Sequence, residues 1–207
     1  MMSAYAGSVI LIFILGGIVF YGATKQRIIQ GFSLQEIVTI ALFCSLLYIA
    51  TVPFKFGLSR IPFIQAFIFS IPFTAVLVVG IRLVPKCGTA TLIIFGNSLL
   101  SQIISRGINP LWWPYALLAG FVLELYFLIS RNYLETRMNA LGAGLLRGFV
   151  VYIYFYFFSA PFIWHLHYAF WYVCIQTIQG IAGSGIGALI GFAVSRPIRN
   201  AYRHGGI

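Results

Sequence analysis

Seven long apolar runs, divided by basic residues, prolines and glycines, constrain this chain more than any motif in it. They extend from about Ser3 to Ala23, Leu34 to Val52, Ile61 to Val84, Thr89 to Ser105, Tyr115 to Ser130, Ala140 to Ser159 and Tyr168 to Val194. Crossing the hydrocarbon of a bilayer takes about 20 helical residues, and most of these runs are close to that length. In hydrocarbon the backbone must satisfy its own N–H and C=O groups, which a helix does internally. The expected fold is an all-α integral membrane bundle of seven spans. Composition agrees: of 207 residues 61% are apolar and 8% charged, a balance that would cover a water-soluble domain in apolar patches.

The charge pattern sets an orientation. Thirteen basic residues stand against three acidic ones, a net charge of +10, and cytoplasmic connections are the ones that collect Lys and Arg. With the N-terminus outside, the inner segments hold Lys25, Arg27, Arg82, Lys86, Arg131, Arg137, Arg196, Arg199 and Arg203, and the outer ones hold Lys55, Arg60 and Arg106. Nine against three, with Arg147 set aside at membrane depth, favours seven spans with the N-terminus out and the C-terminus in. The multi-pass chain is expected in the cell (plasma) membrane. Charges at span ends form no continuous basic stripe, so nucleic acid is not an expected partner. The first run has no basic segment before it and its charges follow it, an order that reads as a retained anchor and not as a cleaved signal.

Motifs of catalysis are missing from the sequence. It has no Walker lysine loop, GxSxG elbow or HExxH helix, so neither an ATPase nor another enzyme is expected. Cys44, Cys87 and Cys174 form no ligand-spaced pair and read as small apolar fillers. His165 and His167 make an HxH, but with no Asp in the chain and no acid in the outer connections, no metal and no cofactor are expected. Gly183 to Ala188 matches GxGxxA formally, yet it lies inside an apolar span with no strand before it. Gly183, Gly187 and Gly191, with Gly144 and Gly148 in the preceding span, instead have the spacing of close helix packing.

Polar groups at membrane depth are costly and usually face a bundle interior. Glu124, six residues before the inner end of the fifth span, and Arg147, seven past the inner start of the sixth, lie at nearly one depth, so a structural ion pair is expected. Asn97, Ser101 and Ser105 recur at i+4 beside Ser98 and Gln102, which suits either hydrogen bonding between helices or a polar wall for a solute. Trp112 and Trp113, after Asn109, and then Trp164, His165, His167, Tyr168, Trp171 and Tyr172 gather on the outer side. They read as an interfacial belt or as the cap of an outward-opening pocket, with Gln176 and Gln179 below. The substrate-binding candidates are Asn97, Ser101, Gln102, Trp112, Trp113, Trp164, His165 and Gln176.

Three stretches carry a family resemblance: GFSLQEIVTIALF (Gly31–Phe43), VPKCGTA (Val84–Ala90) and INPLWWPYALLAGFVLE (Ile108–Glu124), together with the glycine-rich last span. From Phe32 onward the chain resembles the substrate-binding S component of an energy-coupling factor (ECF) vitamin transporter, of the YkoE-like branch linked to thiamine and its hydroxymethylpyrimidine precursor. The resemblance implies a six-helix S-component domain at 31–207, preceded by one extra transmembrane helix and inner loop at 1–30. It implies a vitamin-like ligand held near the outer side, a transmembrane T component as partner and two cytoplasmic ATPase subunits as the energy source. An AxxxA-like docking face on the first core helix falls on Ala41 and Ser45. Two other readings stay open from the residues: a non-catalytic anchor subunit of a larger redox or energy-converting complex, and a membrane-embedded lipid enzyme, for which an intramembrane acid/base cluster is lacking.

Overall fold

The computed structural model describes residues 2–26, 31–57, 64–105 and 107–204; it omits the side chains of Met2 to Ala4, Phe54 to Gly57, Ser105 and Ala201 to His204. Arg27, Arg60 and Arg106 lie outside the described residues, as do the side chains of Lys55, Ser105, Arg203 and His204. Seven α-helices run through the described residues: α1 (Met2–Lys25), α2 (Leu34–Gly57), α3 (Gln65–Leu83), α4 (Thr89–Ser105), α5 (Trp113–Ser130), α6 (Arg137–Ile153) and α7 (Phe170–His204). Six are long and apolar enough to cross a membrane, and α4 is a shorter apolar helix. Successive helices run antiparallel, so the bundle has a basic end, with Lys25, Arg82, Lys86, Arg131, Arg137, Arg196 and Arg199, and an aromatic end, with Trp112, Trp113, Trp164 and Trp171.

Local chemistry explains several boundaries. Ser33 and Glu36 form a capping box at the start of α2: Ser33 N–H donates to Glu36 Oε2 at 2.7 Å and Glu36 N–H to Ser33 Oγ at 3.3 Å. Glu36 also pairs with Lys86 at 2.7 Å, which ties α2 to the turn between α3 and α4. Thr136 caps α6 by accepting from Asn139 N–H at 3.2 Å. After Ile153, α6 widens into a π-helical segment, Tyr154–Ile163. Pro161, inside it, has no N–H to return to the preceding turn, and Trp164 N–H reaches Ser159 O, five residues back, at 3.0 Å. The segment ends at Ile163, and two residues on His165 takes a left-handed φ of 53°.

The core lies among α2 to α7, where Leu47, Leu77, Ile81, Ile93, Leu123 and Phe127 are almost fully buried. The longest seam joins α3 to α7. A methyl group at Gly183, Gly187 or Gly191 would strike the carbonyl oxygens of Phe67, Ile71 and Ala75 respectively, so each glycine marks a backbone-to-backbone approach. Gly144 and Gly148 bring α6 equally close to α7, as small residues at this spacing do in membranes. Helix α1 stands at the edge, packed mainly on α5 through Val19 and Ala23 against Leu128. Its other face is bare, with Phe13 76% and Phe20 67% exposed, and α2 presents Leu34, Val38, Leu42 and Ile49 outward in the same way. Such apolar faces suit lipid or another membrane protein and are foreign to a water-soluble surface.

Candidate functional site

The expected ion pair does not form. Glu124 is buried on α5 and turns toward α4, where its Oε1 accepts the N–H groups of Ala90 at 2.8 Å and Thr91 at 3.4 Å. It is a carboxylate cap on the first turn of α4, favoured by the unpaired donors and positive dipole end there. Arg147 is buried on α6 and turns the other way: its Nη1 donates to Thr74 Oγ1 at 3.0 Å on α3 and to Ser184 Oγ at 3.2 Å on α7, and its guanidinium lies 3.9 Å from the Phe73 ring centroid. The two side chains turn to different neighbouring helices. Among the described residues the ion pair present is Lys86 with Glu36. Near the Glu124 cap, outside the spans, burial and then the Glu124 carboxylate push the Cys87 thiol up to about 11, so it stays protonated and unreactive.

At the aromatic end, the predicted candidates divide into three groups. Trp112, in a short 3-10 turn at Pro110–Trp112, packs against Trp164 with ring centroids 4.9 Å apart, stacks on Phe155 at 6.4 Å and meets Tyr115 edge-on at 6.3 Å. Ring contacts continue from Phe155 to Tyr156 and on to Tyr168 and Tyr172, so the two tryptophan-bearing connections do converge.

Gln102 belongs to a second group, because its carbonyl accepts Asn109 N–H at 2.8 Å and its amide donates to Ser98 Oγ at 3.3 Å. It fastens the end of α4 to the following loop. Asn109 in turn accepts from Leu111 N–H at 3.0 Å and starts the 3-10 turn. The third group holds the remaining candidates and their neighbours, among which Ser101 and Gln176 are engaged in interactions of their own. Asn97 Oδ1 on α4 and Trp113 Nε1 at the start of α5 have no hydrogen-bond partner, and neither do Thr177 Oγ1 and Gln179 Oε1 on α7. Gln176 is buried on α7, Ser101 half-buried on α4, and His165 exposed.

A recess of about 320 Å³ opens at the aromatic end, walled by Tyr156, Phe157, Phe162, His167, Tyr168 and Phe170 between the π-helical segment and the start of α7. A second, deeper cavity beside Arg147 holds about 10 Å³, the space of one water. None of the eight substrate-binding candidates lines either of these two cavities. The recess residues were visible in the sequence only as the run YFYFF and as His167 and Tyr168 of the aromatic cluster. A wall built on a π-helical turn has no simple sequence signal. Among the described residues no group of three or more His, Cys, Asp or Glu side chains is arranged to hold a metal ion.

On the predicted docking helix, Ala41 and Ser45 are exposed one turn apart on α2, beside Val38, Leu42 and Ile49. Ser45 keeps its hydroxyl on its own helix, donating to Ala41 O at 3.1 Å, so the face is sterically small. Comparisons with protein-family models, with characterised proteins and with solved structures return no match for this chain.

Proposed function

We propose that the chain is a non-catalytic, membrane-embedded capture subunit of an energy-coupling factor importer, which takes a vitamin or vitamin precursor from the outer side. The observation that carries this reading is the aromatic recess. At about 320 Å³ it falls at the small end of the range for small-molecule sites, and Tyr156 and Tyr168 offer ring faces while His167 offers a hydrogen bond to a heterocycle. Ring contacts running from Trp164 through Trp112 and Phe155 reach Tyr156 and so brace one of the rings that wall it. Outside its lining, Asn97 Oδ1, Trp113 Nε1 and Gln179 Oε1 are buried without a hydrogen-bond partner. The exposed small-residue face at Ala41 and Ser45 supports docking on a transmembrane T component, with two cytoplasmic ATPases as the energy source. Thiamine and hydroxymethylpyrimidine are the leading ligands, on the resemblance alone.

Native mass spectrometry of the detergent-purified chain tests the reading. A retained compound of vitamin size is expected, and Tyr156→Ala with His167→Ala should weaken its rebinding by tenfold or more at unchanged helix content. A chain that binds none of a panel of vitamins and precursors and shows a Soret band would instead be an anchor subunit of a redox complex.

A further inference from the structure

At the basic end, the last turn of α3 and the inner part of α7 hold an arrangement that the capture function does not use. Arg82 is 5% exposed. Its Nη1 donates to Phe192 O at 2.9 Å and to Ser195 Oγ, and its guanidinium lies 4.0 Å from the Phe192 ring centroid. Arg196, exposed one turn further on, places its guanidinium 5.0 Å from the same ring. Two cations therefore share one phenyl group. Arg199 and Glu135 are the other charges within electrostatic reach of Arg82, which sets three guanidiniums against one carboxylate. Neither Arg82 nor Arg196 has a salt-bridge partner among the described residues, and the buried Arg82 Nε has no hydrogen-bond partner. Three guanidiniums against one carboxylate leave a net positive charge here that a bound anion would offset.

We propose that Arg82 and Arg196, braced by Phe192 and Ser195, form a site for the phosphate ester of an anionic phospholipid headgroup. The chemistry matches. Guanidinium groups present paired N–H donors to phosphate oxygens, both arginines stand at the end of their spans, where headgroups lie, and basic sites between helices are where anionic lipids settle. Arg82 is the buried half, held by a backbone carbonyl and a hydroxyl, and Arg196 is the exposed half. The inference does not depend on the proposed ligand at the opposite end of the bundle.

Native mass spectrometry and thermal unfolding of the full chain, delipidated in detergent and titrated with phosphatidylglycerol, phosphatidylcholine or inorganic phosphate, test it. Phosphatidylglycerol should bind at least fivefold more tightly than phosphatidylcholine and raise the melting temperature, while inorganic phosphate does neither. Arg196→Gln, at an exposed position, should melt like the parent without lipid yet lose the preference, and Arg137→Gln, exposed at the same end, should keep it. Arg82→Gln is expected to lose both the preference and some stability, so Arg196→Gln is the decisive variant. Equal binding of the two lipids, an unchanged preference in Arg196→Gln, or stabilisation by inorganic phosphate equal to that by the anionic lipid would each overturn the proposal.

Discussion

At the scale of single residues, the two deepest charges show how a membrane protein keeps ions without pairing them. Glu124 is held by the backbone donors of α4, and Arg147 by two hydroxyls and a ring face. Hydrogen bonds to a charged group contribute about 1.5–3 kcal/mol each, which offsets part of the cost of burying each group in its own site. Glu124→Gln and Arg147→Gln should therefore each destabilise the protein by roughly 1–3 kcal/mol, and the double variant should match their sum to within about 0.5 kcal/mol. Unfolding of the four proteins in mixed micelles measures this, and a coupling of more than about 1 kcal/mol would mean that the two charges sense one another after all. The sequence placed both groups at one depth because rise per residue is fixed. It left their azimuth open, because that depends on which neighbour each helix face meets. For the same reason the i+4 row of Asn97, Ser98, Ser101 and Gln102 was legible as an inward face, while the division between Gln102, bound to a loop, and Asn97, with its carbonyl oxygen unpartnered, was not.

Among the helices, glycine spacing was the most legible packing signal and the π-helical segment the least. Gly183, Gly187 and Gly191 recur every fourth residue on α7, and each meets a backbone atom of α3. A methyl group at Gly187 would also stand 3.0 Å from Ile71 Cα, and a backbone cannot rotate away as a side chain does. Gly187→Ala should thus separate α3 from α7 locally and lower stability by about 1–3 kcal/mol, read as a fall in melting temperature. Gly17, on the outer side of α1, has nothing within 4 Å of an added methyl group. Gly17→Ala should leave stability unchanged or raise it by up to about 1 kcal/mol, through helix propensity alone. Tyr154–Ser159, by contrast, reads in sequence as the end of the sixth span, because its apolar residues carry no period that distinguishes π from α. Pro161 hints at a break, but not at its sense. Since that wider turn forms one wall of the recess, the part of the candidate site that mattered most was the part the apolar pattern conceals.

For the whole molecule, the decisive property is polarity along the bundle axis: most described arginines and lysines crowd one end, and the four tryptophans with His165 and His167 stand at the other. Both proposals inherit a side of the membrane from that asymmetry, since a capture site must face the outside and an anionic-lipid site is favoured by the negative surface of the inner leaflet. The positive-inside rule assigns the basic end to the cytoplasm, and two exposed positions report on it. Met138 begins α6 at the basic end, 74% exposed, and Leu166 lies in the connection at the aromatic end, 48% exposed. In a background with Cys44, Cys87 and Cys174 replaced by alanine, Leu166→Cys should react with a membrane-impermeant maleimide on intact cells, whereas Met138→Cys should react only after the membrane is opened. The reverse pattern would turn the recess toward the cytoplasm. It would remove uptake from the outside as a function for this bundle while leaving its helix packing untouched.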